Sequence, residues 1–337
     1  MYKINTGLLD LVGNTPVVRM RPHYGSKFTN LELYAKLEYY NPTGSIKDRP
    51  AAYIIRHMML RGEIQPGSTV IESSSGNFGI ALAAVCRAEK IKFICVVDPG
   101  ILPHNEFLLR QYGAQIVKIT EKDDTGGYLK SRIRYIHDYI AKHPEVKWFN
   151  QYENEKNGLA HYYGTGLEIY KTFSDYGLDY VFIPVGSGGT VTGVSRLLKE
   201  QFPNIQIVAV DSDGSVIFNG PPKPRFIPGM GSSIRPKLLD NAHIDHVVTV
   251  KEQNAVKGCL EMLDHYSLFV GGSSGATYWA AKQFFGLCDE HGDALKSAPV
   301  IDLEARKALL LLVDRGERYS STVYNPEWVK AKFDMAV

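Results

Sequence analysis

Tyr180-Val181-Phe182-Ile183-Pro184-Val185-Gly186-Ser187-Gly188-Gly189-Thr190-Val191-Thr192-Gly193 runs from an apolar, β-branched stretch through a glycine cluster into a helical pattern. Tyr180–Pro184 suits a strand buried on both faces, and 191–201 carries helical periodicity. A strand that feeds a helix in this way is half of a crossover unit, which implies a mostly parallel sheet. A merely tight turn rarely needs so many glycines. Clustered glycine and hydroxyl residues at a helix start also suit one phosphate held by main-chain N–H donors.

Working outward, the same alternation fills the chain. Further strands are expected over 31–37, 69–71, 91–97, 115–119, 205–210, 246–250 and 308–313. Helices are expected over 48–61, 77–90, 128–142 and 275–287. The fold class is therefore α/β, with a boundary near Asn150 that separates four strand–helix units from a second series. Clefts between such lobes are where small ligands sit. The proline-rich stretch Phe218-Asn219-Gly220-Pro221-Pro222-Lys223-Pro224-Arg225, followed by Pro228-Gly229-Met230-Gly231-Ser232-Ser233, reads as either a surface excursion or the rim of an active site.

Composition narrows the function. The 337 residues carry 38 Lys+Arg against 36 Asp+Glu, a net charge of only +2. A nucleic acid or an anionic membrane surface would select a strongly basic face, so neither is expected as a partner. Cys86, Cys95, Cys259 and Cys288 form no C-x-x-C pair, so no metal site is expected, and they read as buried thiols in a reducing compartment. No basic-then-apolar leader opens the sequence, and the longest apolar runs, 80–86 and 308–313, are far too short for a membrane span. A cytoplasmic protein is expected.

Three further segments carry chemistry. In Asn41-Pro42-Thr43-Gly44-Ser45-Ile46-Lys47-Asp48-Arg49-Pro50 a turn leads into a helix, with Ser45 and Asp48 spaced as a cap. Lys47 then falls in the first turn, where the positive helix end disfavours an ammonium ion; a neutral amine is what Schiff-base formation requires. The alternative is an exposed lysine in water. Glu72-Ser73-Ser74-Ser75-Gly76-Asn77-Phe78-Gly79 follows a strand and can gather N–H groups around a carboxylate, or simply cap the next helix. In Val270-Gly271-Gly272-Ser273-Ser274-Gly275-Ala276 a serine can meet a ring nitrogen or serve as a cap. Taken together, one lysine, a phosphate loop, a carboxylate loop and a late hydroxyl describe a pyridoxal 5′-phosphate site. A neutral hydroxyl at the pyridine nitrogen makes a weaker electron sink, which favours prompt β-elimination.

With these motifs in place, the chain resembles the cysteine synthase/cystathionine β-synthase family of fold-type II pyridoxal-phosphate enzymes. The resemblance spans Leu11-Val12-Gly13-Asn14-Thr15-Pro16 to Asp314-Arg315-Gly316-Glu317-Arg318-Tyr319. It implies a two-lobed fold, with a smaller mobile lobe over 41–150 and a larger lobe from 1–40 and 151–337, and a homodimer. It assigns the imine-forming lysine to Lys47 and the phosphate cup to Gly186, Ser187, Gly188, Gly189 and Thr190. It sets Ser273 at the pyridine nitrogen and Asn77 against the cofactor's phenolic oxygen. Substrate carboxylate falls to Ser74, Ser75, Gly76, Asn77 and Gln151.

Within the family, Phe78, Gly126-Gly127-Tyr128-Leu129 with Arg132, Asn150-Gln151-Tyr152-Glu153-Asn154-Glu155 and the run 210–218 are similar to a branch that joins O-phospho-L-serine to L-glutamate. That reaction opens 2,3-diaminopropionate synthesis for siderophores or peptide antibiotics. The cup itself is closer to the sulfhydrylase form, and cysteine synthase using sulfide with O-acetylserine or O-phosphoserine is the alternative. Sulfide needs no carboxylate pocket, so the discriminating feature is whether Arg132 and Tyr152, the candidates for the second substrate, face the cleft.

Overall fold

The computed structural model describes residues 6–21, 31–124, 126–288 and 306–336. In chain order the strands and helices are β1 (Val17–Met20), β2 (Leu31–Leu37), α1 (Asp48–Leu60), β3 (Thr69–Ser73), α2 (Asn77–Ala88), β4 (Lys92–Val97), α3 (Pro103–Gln111), β5 (Gln115–Lys118), α4 (Leu129–Lys142), β6 (Lys147–Trp148) and α5 (Glu155–His161). Then follow α6 (Leu167–Phe173), β7 (Tyr180–Pro184), α7 (Gly189–Gln201), β8 (Gln206–Ser212), β9 (His246–Val250), α8 (Glu252–Tyr266), α9 (Gly272–Phe284), β10 (Arg306–Leu312) and α10 (Pro326–Phe333).

Two sheets result. One has six strands in the order β1-β2-β10-β7-β8-β9, and the other has four in the order β5-β4-β3-β6. All pairings are parallel except β1 with β2. The α/β reading of the sequence is therefore what the chain adopts. In the six-stranded sheet the two-residue period divides the core. Phe182, Val208, Val210, Leu310 and Leu312 pack on one face with Trp279 and Val256. Val181, Ile183, Ile207, Ala209, Leu309 and Leu311 pack on the other with Ile169 and Val194. Each such side chain contributes about 1.5–3 kcal/mol when fully buried, and burial on both faces is why these strands read as unbroken apolar runs.

The expected strands and helices all form, with ends shifted by a few residues. The notable shift is α9, which begins at Gly272, so Ser273 lies inside its first turn. Strands β1 and β6, of four and two residues, are too short to show a period. Helices α3, α5, α6, α8 and α10 are present beyond those expected. All four cysteines are buried, as expected of apolar thiols. Among the described residues no helix is long and apolar enough to cross a membrane.

Both sheets present strand ends to one cleft, because parallel strands share a direction and ligands collect beyond their carboxyl ends. Helices α5 and α7 meet beneath it. A Cβ on Gly193 would run into the Gly158 carbonyl, the Tyr162 amide and His161. Gly193→Ala should thus destabilise the protein by about 1–3 kcal/mol through overpacking, seen as a lower urea midpoint. Gly7→Ala, where nothing lies within 4 Å, should leave that midpoint unchanged.

Candidate active site

The cleft is a cavity of roughly 320 Å³ at the carboxyl ends of β3 and β7 and the start of α9. Lys47, Ser74, Ser75, Gly76, Asn77, Arg132, Gln151, Tyr152, Gly186, Ser187, Gly188, Thr190 and Ser273 all line it. Gly189 does not. It is packed against the Asn157 side chain, which occupies the position its Cβ would take.

Lys47 is the cap residue of α1, just outside the first turn where the sequence reading had set it. The Ile46 N–H donates to the Val313 carbonyl at 2.8 Å, which fixes this loop to the end of β10. Burial brings the Lys47 amine down to about 8, and the nearby Asp314 carboxylate opposes that fall. The expected lowering is present, and desolvation is its largest cause. The Ser45–Asp48 cap is likewise rearranged. Ser45 Oγ accepts from the Lys47 N–H at 3.3 Å, while Asp48 reaches back to the Thr43 N–H at 2.7 Å and the Thr43 hydroxyl at 2.5 Å.

The loop after β3 does serve as a helix cap, and it leaves backbone donors in the cleft wall. Ser74 Oγ accepts from the Gly79 N–H at 2.9 Å and so caps α2. The N–H groups of Ser75 and Gly76 find no acceptor among the described residues and remain for a ligand. Gln151 Nε2 donates to the Ser73 carbonyl at 3.1 Å. The side chain of Asn77 is held at both ends: Nδ2 donates to Asp314 at 2.7 Å, and Oδ1 accepts from Arg318.

The loop after β7 turns through Gly188 at φ +84°, a left-handed conformation that favours glycine. It leads into α7 with no side-chain cap. The N–H groups of Gly186, Ser187 and Gly188 have no acceptor among the described residues. Backbone donors of this kind at a helix start are suited to an anion. The capping alternative for Ser273 is not realised. Its hydroxyl is buried in the cleft wall without a hydrogen-bond partner.

Arg132 and Tyr152 both face the cleft. The Arg132 side chain is only 12% exposed, so it is not a solvated helix residue. Its Nη1 donates to Ser75 Oγ at 2.9 Å and lies 3.2 Å from Asp98, to which the Ser75 hydroxyl donates at 3.0 Å. Burial raises the Tyr152 phenol, which stays protonated. Pro228, Gly229 and Gly231 line the cavity, so the end of the proline-rich segment is a rim.

Several site residues escaped the sequence reading: Asp98, Asn157, His161, Asp314 and Arg318. An acidic residue directly after the expected strand 91–97 was a usable signal for Asp98. No local pattern marks the others.

The family model described as "Pyridoxal-phosphate dependent enzyme" matches residues 8–294. The chain belongs to the pyridoxal-phosphate dependent enzyme family. It is 42% identical over 326 residues, 97% of this chain and 91% of the other, to N-(2-amino-2-carboxyethyl)-L-glutamate synthase from Ralstonia nicotianae (strain ATCC BAA-1114 / GMI1000). The crystal structure of O-ureido-L-serine synthase matches with a TM-score of 0.83 and 29% identity, covering 99% of this chain and 98% of that one. The O-acetylserine dependent cystathionine beta-synthase from Helicobacter pylori matches with a TM-score of 0.84 and 30% identity, covering 96% and 100%.

The residues fit the family's cofactor. An amine with lowered proton affinity, unpartnered N–H groups at the start of α7 and an orphaned buried hydroxyl at Ser273 are the groups that an aldehyde, a phosphate and a ring nitrogen require. If Lys47 is the attachment point, covalent capture of pyridoxal 5′-phosphate by cofactor-free protein should speed up as pH rises through about 8. An ordinary lysine would put that midpoint near 10.4. Stopped-flow absorbance across a pH series reads the midpoint directly.

Proposed function

We propose that this enzyme joins O-phospho-L-serine to L-glutamate by β-replacement, giving N-(2-amino-2-carboxyethyl)-L-glutamate and phosphate, and so opens a route to 2,3-diaminopropionate. The similarity to the Ralstonia synthase supports this reading. The observation that carries it is the buried Arg132 guanidinium in the cleft wall beside Tyr152. A glutamate nucleophile brings two carboxylates and the leaving group is a phosphate, so a cation with forked donors has a task here. Sulfide would give it none.

Pyridoxal 5′-phosphate, when bound, supplies the electron sink for bonds at the substrate's α-carbon. In this proposal Lys47 would hold the cofactor covalently, and its Nζ would take the substrate's α-proton as general base and later return it. Ser74, Ser75, Gly76, Asn77 and Gln151 hold the substrate carboxylate, with Asn77 also directed at the cofactor. Gly186, Ser187, Gly188 and Thr190 would hold the cofactor phosphate, and Ser273 would face the ring nitrogen. The Cβ–O bond breaks with its electron pair leaving on phosphate. The glutamate nitrogen forms the new Cβ–N bond and loses a proton.

The homodimer rests on the family resemblance, closure of the 41–150 lobe on the need to exclude water, and a cytoplasmic setting on the four free, buried cysteines. Mass spectrometry of products from phosphoserine or acetylserine, each with glutamate or sulfide, tests the reaction. The glutamate adduct with release of phosphate is expected; efficient use of sulfide with no glutamate adduct overturns the proposal. Arg132→Met should raise the KM for glutamate about ten- to a hundredfold, the value of a hydrogen bond to a charged group.

A further inference from the structure

Behind the phosphate loop lies a buried imidazole to which the reaction assigns no task. His161, at the end of α5, is fully buried. Its Nδ1 is 3.0 Å from Thr165 Oγ1, and its Nε2 is 3.3 Å from Thr190 Oγ1. Thr165 is fully buried too, while Thr190 lines the cleft. The chain of contacts therefore runs from the protein interior, through the imidazole, to a hydroxyl on the cleft wall. Close packing holds it in place, since α5 and α7 touch through backbone at Gly193.

Burial, with Lys47 and Arg49 nearby, holds the imidazole well below its usual proton affinity. A neutral imidazole has one donor and one acceptor nitrogen. Two proton arrangements satisfy the heavy-atom positions. In the first, Nδ1–H donates to Thr165 and Nε2 accepts the Thr190 proton, which leaves only Thr190 lone pairs toward the cleft. In the second, the Thr165 hydroxyl donates to Nδ1 and Nε2–H donates to Thr190, whose own proton is then free to point outward. A phosphate beside Thr190 repels lone pairs and attracts the proton, so only the second arrangement matches an anion in the loop.

We propose that His161 is a positioning residue for the cofactor phosphate, donating from Nε2 to Thr190 so that the Thr190 hydroxyl proton is turned into the cleft. This rests on reading Gly186–Thr190 as the phosphate cup. Its ligand is the phosphate monoester of the cofactor, and its effect is on cofactor retention and on the electronic surroundings of that phosphate.

The test uses the holoenzyme, with the pyridoxal 5′-phosphate dissociation constant and the phosphorus-31 resonance of the bound cofactor as readouts. His161→Leu and Thr190→Val should each weaken cofactor binding about tenfold or more, as expected for loss of a charged hydrogen bond. The double variant should be no weaker than the worse single one, because both cut the same chain. His161→Gln, which keeps an N–H donor, should recover part of the loss. Nitrogen-15 spectra of the wild-type holoenzyme should show the proton of His161 on Nε2. An unprotonated Nε2, or losses that simply add in the double variant, would overturn the role of His161. If Thr190→Val and His161→Leu both leave the phosphorus resonance and the affinity unchanged, the phosphate lies elsewhere and the cup reading itself fails.

Discussion

The position of Lys47 depends on an ion cluster that never touches the cleft. Arg49, two residues further on, donates from Nε to Glu38 at 2.6 Å and from Nη1 to Glu168 at 2.7 Å. Its Nη2 donates to Glu38 and Glu168, each at 2.8 Å, and to Thr15 at 3.2 Å. Lys36, buried in β2, donates to Glu168 at 2.8 Å and to the Thr15 carbonyl at 3.0 Å. Two cations and two carboxylates from β2, the turn that follows it, α1 and α6 thus neutralise one another. Burial pulls the Glu168 carboxyl upward, but Arg49 and Lys36 outweigh it and hold it near 2. Such a cluster adds little net stability compared with an apolar core, yet removing one member costs about 3–5 kcal/mol. What it secures is register. Helix α1 can start in one place only, and Lys47 is set at the seam of the two sheets.

The near-neutral charge of the chain becomes intelligible in the same terms. The substrates and cofactor of the proposed reaction are anionic, but the net charge is only +2. Unpartnered N–H groups before α2 and α7 supply directed positive potential without a formal charge. Arg132, the one guanidinium on the cleft wall among the described residues, stands beside Asp98, and Ser75 bonds to both. Pairing fixes its orientation and offsets part of its charge, so anions are met by geometry more than by a basic surface.

Much of this was legible in the sequence. The central strands of the larger sheet are buried on both faces, so Tyr180–Pro184 and its companions announced themselves, and the glycine and hydroxyl loops marked where a ligand could sit. The failures share a cause. The grip of Asp314 and Arg318 on Asn77 spans more than two hundred residues of chain, and no local spacing reports it. His161 looks like any helix residue until α7 is laid against α5. Ser45, Asp48 and Ser273 carried real cap signals, yet the fold of the preceding loop gave Asp48 to Thr43, and packing left the Ser273 hydroxyl unpaired. Local propensity proposes partners for a side chain, and packing then chooses among them.

The same choice governs the proton affinity at the centre of the site. Burial alone would carry the Lys47 amine further down, and Asp314 limits the fall. Asp314 is itself fully buried, which pushes its carboxyl up; Arg318, the Tyr319 hydroxyl at 2.6 Å and Asn77 pull it back. Arg318 also donates to the Thr43 carbonyl, in the loop that leads to Lys47. One carboxylate therefore sets two things at once, the charge facing the amine and the place of the Asn77 side chain. An arrangement in which Asp314 were neutral would weaken the hold on Asn77 and lower the proton affinity of Lys47 together. The segment from Asp314 to Tyr319 thus belongs to the site as fully as the glycine loops do, although it acts through side chains and not through a backbone cradle.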